Sequence, residues 1–141
     1  MASIPSGPFF PRPVRSLLGP LGVSASGMSR QQSFIEVISE NIANAETTKT
    51  ADGSPYKRQI ARVVTDPTTG RLSTVVSEDA TPGRAVYDPG HPDADESGYV
   101  HYPNVDLTTE TVDLMIARRM HEANATAFQA AKAMLRRSLE I

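Results

Sequence analysis

The chain has 141 residues, enough for one small domain with a modest core, and 39% apolar with 21% charged residues exclude a fully disordered chain. Lys and Arg number 14 against 16 Asp and Glu, a formal net charge of −2, which argues against a dedicated nucleic-acid binder. The chain has no Cys, which excludes disulfide frameworks, thiolate metal sites and Cys nucleophiles; it has no Trp and only 6% aromatic residues, so rigid anchors for a small-molecule pocket are scarce.

In chain order, residues 1–23 read as a flexible, Pro-rich extension. Pro5, Pro8, Pro11, Pro13 and Pro20 interrupt it, and its apolar pieces are only Phe9-Phe10 and Leu17-Leu18. No continuous apolar region of a cleaved signal peptide is present, and no stretch is long and apolar enough to span a bilayer. Export from the cytoplasm would need a route that does not read a cleaved signal.

Residues 24–48 form a first helical unit. The helix is expected from Ser24 to Ala45, with Ser24 or Ser26 as its cap. Met28, Ile35, Ile38, Ile42 and Ala45 recur at heptad-like steps, interrupted by Gln31, and form the expected pairing stripe. Arg30, Ser33, Glu40 and Asn44 lie opposite. Thr47, Thr48 and Asp52-Gly53-Ser54-Pro55 end the helix in a loop.

Residues 49–107 read as a β-rich connector. Tyr56 to Thr65 and Arg71 to Ser77 are strand candidates around the turn Asp66 to Gly70, together a hairpin. Arg84 to Tyr87 and Tyr99 to Tyr102 are two more extended pieces. Between them, Asp88 to Gly98 is too rich in Pro, Gly and Asp for regular structure. There Pro89 and Pro92 restrict φ, Gly90 and Gly98 can supply φ > 0, and Asp88, Asp93 and Asp95 can bond nearby backbone or meet basic side chains on a neighbour.

Residues 108–141 hold a second helix, starting near Thr109 with Thr108 as cap and Glu110 and Asp113 in its first turn. Val112, Ile116, Met120, Ala123, Ala127, Ala130 and Met134 form its expected apolar stripe. Some 30 helical residues span about 45 Å, more than a small core needs. Arg118 and Arg136 lie five turns apart, as do Arg119 and Arg137, so each pair shares a face suited to charge contacts between subunits.

The expected fold is α+β: two long terminal helices pair as an antiparallel, coiled-coil-like hairpin, joined by the small β-rich connector. The stripes are narrow and Ala-rich, so the pair alone buries little area. This points to an element completed by neighbours, an assembly protein. A soluble helical-hairpin module that docks one partner helix is the alternative.

Catalytic and metal chemistry find little support. Asp93, Asp95, Ser97 and Gly98 fall at calcium-loop positions, but Asn104 stands where a bidentate Glu belongs, and Pro92 and Pro103 forbid flanking helices. His91 with Asp88, Asp93 and Asp95 lacks metal-ligand spacing, and His101 and His121 do not supply it. No nucleophile elbow, P-loop or dinucleotide fingerprint occurs. No catalytic residue, metal or cofactor is expected.

The residues also resemble a known family. SASGM (Ser24 to Met28), VISENIANAETT (Val37 to Thr48), ADGSPYKRQ (Ala51 to Gln59), VYDPGHPDADESGYVHYPNVDL (Val86 to Leu107) and HEANATAFQAAKAMLRRSLEI (His121 to Ile141) are similar to motifs of bacterial flagellar basal-body rod proteins. The pattern S-x-N-x-A-N-A at Ser39 to Ala45 is shared by axial flagellar proteins, while D-P-G-H-P-D-A-D and Y-P-N-V are closer to the proximal-rod type. The chain departs from the family in its long Pro-rich extension, in His121 where an aromatic residue is usual, and between Gln59 and Arg84, where no clear motif appears. The resemblance implies a non-catalytic subunit of the periplasm-crossing rod, a drive shaft and export conduit. Its terminal helices pair and stack with copies of itself and other rod proteins in a helical tube. It leaves the cytoplasm through the flagellar type III export apparatus on an uncleaved signal, without membrane insertion or nucleic acid.

Overall fold

The computed structural model of the chain describes residues 12–140. Two long helices, α1 (Arg12–Ala43) and α2 (Leu107–Leu139), flank four strands: β1 (Gln59–Thr65), β2 (Leu72–Glu78), β3 (Ala85–Tyr87) and β4 (Tyr99–His101). The architecture is the expected α+β arrangement, two packed helices joined by a small β connector.

Helix α1 starts at Arg12, well before Ser24. It takes up residues 12–23 of the extension expected to be flexible; residues 1–11 lie outside the described residues. Pro13 falls in the first turn, where a missing N–H costs nothing. Pro20 lies inside the helix and removes one ladder bond. The helix continues past it because Leu21, Ser24 and Gly27 are covered, and packing outweighs intrinsic preference. Ser24 is therefore a buried interior residue rather than a cap, and the Ser26 hydroxyl donates back to the Val23 carbonyl at 3.1 Å.

Helix α2 is capped by Asp106 rather than Thr108. The Asp106 carboxylate accepts from the Thr108 N–H at 2.9 Å and the Thr109 hydroxyl at 3.1 Å. It also places negative charge at the positive end of the helix, which a threonine cannot do. The Thr108 N–H bond, above all, holds the Asp106 carboxyl below the usual carboxylate range.

The helices run antiparallel. Gly27 lies against Asn124, the Gln31 amide donates to the Met120 sulfur at 3.8 Å, and Asn41 donates to Glu110 at 3.2 Å. The covered positions of α2 are Glu110, Leu114, Ala117, His121, Asn124, Phe128, Ala131 and Leu135, at alternating steps of four and three. This is the spacing of a coiled-coil seam. On α1 the most buried residues are Ser24, Gly27, Val37 and Asn41, followed past the helix end by Ala45. Small side chains let the backbones approach, and a Cβ added to Gly27 would lie 3.0 Å from the Asn124 side chain.

Strands β1 and β2 pair antiparallel from Gln59 opposite Glu78 to Thr65 opposite Leu72. The Asp66 carboxylate accepts the Thr68 and Thr69 N–H groups, and Gly70 takes φ 67°, closing the expected turn. Strands β3 and β4 form a second antiparallel pair around the fully buried Val100.

One polar cluster joins these parts. Glu110 and Asn41 are each only 1% exposed. The Asn41 amide oxygen accepts the Gln59 N–H at 2.8 Å and the Tyr56 hydroxyl at 3.0 Å. Its amide nitrogen donates to the Gln59 carbonyl at 2.8 Å and to Glu110 Oε2 at 3.2 Å. Arg58 Nε donates to Glu110 Oε1 at 2.6 Å, and its guanidinium lies 3.8 Å from Asp79. One asparagine thus binds both polar groups of a β1 residue and a carboxylate on the opposite helix. Burial, with the Glu40 and Glu110 charges, pushes the Tyr56 phenol up to about 12.

Asn41→Ala strands the Gln59 amide and part of the Glu110 carboxylate, and is expected to cost about 2–4 kcal/mol, against less than about 1 kcal/mol for Asn44→Ala at the more open helix end. Urea unfolding of both variants measures the difference. Because the folded Tyr56 pKa is raised, its contribution is complete below pH 10, the unfolded value, and is lost as pH rises toward about 12. Stability of Tyr56→Phe should fall less steeply over that window than that of the parent chain. In hydrogen exchange, amides near Asn41 and Glu110 should be the best protected, with protection declining toward the C-terminal turns of α2, where Phe128 and Leu135 are only half-buried. Uniform protection along both helices would contradict this gradient.

Candidate assembly interface

Of the seven residues expected to pair α2 with α1, Ile116 and Met120 meet α1 only at the edge of the seam, and the other five lie outside it. Val112, Ile116, Met120, Ala123, Ala127, Ala130 and Met134 are all exposed, Ile116 at 52% and Met134 at 58%. At 100° per residue they form a stripe about a third of a turn from the buried one. The most buried seam positions are small or polar, Ala117 and Ala131 with Glu110 on α2 and Ser24, Gly27 and Asn41 on α1; Leu114, Phe128 and Leu135 are half-buried among them, and Val112, Ile116, Met120 and Met134 are left exposed. On α1, Met28, Ile35, Ile38 and Ile42 are half-buried at the margins of the seam, and Ala45 is buried. Phe34, Ile38, Ile60, Ile116 and Met120 line a shallow open groove between α1, β1 and α2, so the exposed stripe begins at the edge of the helix pair.

The stripe is continuous, and single exposed apolar residues would need no explanation. A row of seven on one helix face is the kind of patch that marks a contact with another molecule.

The basic residues separate into two groups. Arg119 and Arg137 border the exposed stripe, whereas Arg118 and Arg136 point about 100° further round the helix. Arg136 pairs with Glu140 at 3.3 Å on the exposed surface. Among the described residues, Arg118, Arg119 and Arg137 make no intramolecular ion pair at 4.0 Å or less.

The connector loop is shaped by its own side chains. Asp88 accepts the Gly90 N–H at 3.2 Å, and His91 Nδ1 accepts the Asp93 N–H at 3.0 Å. Asp95 Oδ1 accepts from the Ser97 and Tyr99 N–H groups at 2.8 and 2.9 Å, while Oδ2 lies 3.3 Å from His101 Nε2. The Tyr99 N–H bond, above all, holds the Asp95 carboxyl below its usual range. Asp93 Oδ2 accepts the Thr48 hydroxyl at 2.7 Å and ties the loop to the segment that follows α1. These carboxylates bond backbone and hydroxyl groups, and among the described residues no group of three or more His, Asp or Glu converges as a metal set would.

Two glycines are held by geometry. Gly98 takes φ 81°, and a Cβ there would lie 2.9 Å from the Tyr87 ring. Gly83 packs so close to the Tyr102 carbonyl that a Cβ would overlap it. Gly90, expected to supply φ > 0, does not take positive φ. Pro89 and Pro92 flank the turns between β3 and β4, and Tyr87 and Tyr99 meet edge to face at 5.3 Å, still largely exposed.

Reading the sequence for apolar periodicity passed over the residues that organise the helix pair: Gly27, Asn41, Arg58 and Glu110. A signal existed in the motif Ser39 to Ala45, which holds Asn41. It also existed in the lone carboxylate Glu110 at a position in phase with Ala117, Asn124 and Ala131.

Comparison with known proteins bears on this arrangement directly. Residues 21–49 match the family described as Flagella basal body rod protein, and residues 96–141 match Flagellar basal body rod FlgEFG protein C-terminal. These two segments correspond to most of α1 and to β4 with α2. The chain is 36% identical to the flagellar basal-body rod protein FlgC of Borreliella burgdorferi, over 89% of this chain and 97% of the relative. It is 37% identical to FlgC of Bacillus subtilis, over 86% and 95%. It is 32% identical to FlgC of Salmonella typhimurium, over 89% and 98%. The chain belongs to the FlgC family of flagellar basal-body rod proteins: it is a structural subunit of the proximal rod that assembles with other rod components, and not an enzyme.

Proposed function

We propose that the subunit stands as one stave of a helical tube that crosses the periplasm, transmits torque and encloses the flagellar export channel. Its neighbours are copies of itself and other rod proteins, and it reaches the tube through the flagellar type III export apparatus, on an uncleaved N-terminal signal. The observation that carries this reading is the exposed apolar stripe of α2 from Val112 to Met134, a face that the helix pair leaves uncovered.

Two further observations support it. The most buried seam positions are mainly small or polar, and Leu114, Phe128 and Leu135 are only half-buried, so the apolar area buried on folding is modest, which suits a chain that travels unfolded. No described helix is long and apolar enough to cross a membrane. A binding module for one partner helix needs a single face. This chain offers the α2 stripe, the outer faces of the β1–β2 ribbon with Val63, Val64, Leu72, Val75 and Val76 exposed, and the Tyr87–Tyr99 surface. Several distinct faces suit a lattice.

Ile116→Glu places a charge on the exposed stripe without entering the seam. It should leave helicity and thermal stability of the purified chain nearly unchanged, while the protein disappears from isolated basal bodies and the cells lose motility. Basal bodies of normal composition with this variant would refute the role given to the stripe.

A further inference from the structure

The unpartnered stripe of α2 lacks an identified occupant, and three surfaces of this same chain are apolar enough to supply one. Two of them lack complementary charge. In the β1–β2 ribbon Arg62 and Arg71 are balanced by Asp66 and Glu78, which leaves no net negative charge to meet Arg119 and Arg137 beside the stripe. A second α2 stripe would bring those arginines near their own copies. From Ile116 onward α2 has Arg118, Arg119, Lys132, Arg136 and Arg137 against only Glu122 and Glu140.

The third surface is complementary. Residues 86–99 carry Asp88, Asp93, Asp95 and Glu96, with no Lys or Arg. Among them, Tyr87 and Tyr99 stand opposite each other on one face of the β3–β4 pair and are exposed, Tyr87 at 64%. The two rings support each other edge to face, and Gly98 at φ 81° lets them close. This is a preformed aromatic surface with an acidic rim, and its loop has little freedom left to lose on docking.

We infer that the β3–β4 connector of a second copy of this chain covers the exposed stripe of α2, with Tyr87 and Tyr99 against Ile116, Met120, Ala123 and Ala127, and Glu96 and Asp88 facing Arg119. The contact is between molecules. Within one molecule the connector is tied by Asp93 to Thr48, at the end of the helix pair where α2 begins, and the stripe runs away from it along α2. The contact joins two different surfaces, and each copy has both, so it can propagate from copy to copy as a helical lattice requires. The inference rests on the rod-subunit reading for its context, but its test does not use the basal body.

The absence of Cys makes that test direct. One full-length preparation carries Ala123→Cys and a second Tyr87→Cys; they are mixed under mild oxidation and the disulfide-linked species are separated. The mixed Ala123→Cys/Tyr87→Cys dimer should dominate over either homodimer and over the product of Ala123→Cys with Leu72→Cys on the ribbon. Adding Arg119→Glu to the first chain should lower the mixed yield about fivefold, as should raised salt, and adding Glu96→Arg to the second should restore it. Circular dichroism confirms that each variant keeps its helices. A yield no higher than that of the Leu72→Cys control, preferential Ala123→Cys homodimers, absence of any cross-link, or a mixed yield indifferent to both charge reversals overturns the assignment. Loss of Ile116→Glu from basal bodies with no such cross-link would leave the rod reading standing and this contact refuted.

Discussion

The bond between Asn41 and Glu110 is the constraint on which the rest of the structure depends. Both side chains are buried, and a carboxylate removed from water is tolerated only with donors in place. Arg58 and Asn41 supply them. Arg58 comes from the segment leading into β1, Asn41 from α1 and Glu110 from α2, so satisfying one charge fixes three parts of the chain at once. Any slip of one helix past the other by a turn would strand Glu110 without its donors. Apolar side chains along the seam would tolerate such a slip more readily, because one methyl group replaces another at small cost.

The same bond explains where the connector sits. Asn41 treats Gln59 as a neighbouring strand would, accepting its N–H and donating to its carbonyl. A helix side chain thereby anchors the first residue of β1, and the ribbon starts at a fixed distance from both helices. Farther along the connector, Asp93 ties the loop to Thr48, and Asp106 caps α2 a few residues after β4. The acidic residues of the middle region thus act mainly on backbone and hydroxyl groups at turns and helix ends. These bonds give the segment whose sequence resembles a calcium loop its shape.

Much of this was legible in the sequence, and the failures have a common cause. Both helices, the Asp66–Gly70 turn and the order of the four strands follow from periodicity and turn chemistry, with boundaries displaced by a few residues, because those signals are local. The start of α1 was missed because five prolines outweigh the pattern when tertiary cover is unknown, and Pro20 is tolerated only with α2 alongside. The pairing face of α2 was misplaced because an apolar stripe normally faces the core. Here Val112, Ile116, Met120 and Met134 are exposed, and Glu110, Ala117, Asn124 and Ala131 face the partner helix. In the proposed assembly the same rule about burial holds for a larger unit, in which a neighbouring subunit covers the stripe.

This division of labour between faces has a physical rationale. A helix pair that used its largest apolar residues internally would be stable alone and would have little left with which to bind. Here polar bonds and close backbone approach define the register of the internal seam. In the proposed assembly the exposed apolar surface serves contacts between subunits, where each copy adds buried area. Stability then grows with assembly, since whatever binds only the folded form stabilises it by mass action. An isolated chain sits near the margin at its helix ends, and the same chain within a lattice is held on several sides. In the proposed route of export and assembly, ease of unfolding beforehand and rigidity afterwards need not conflict, because different residues of the same two helices carry them.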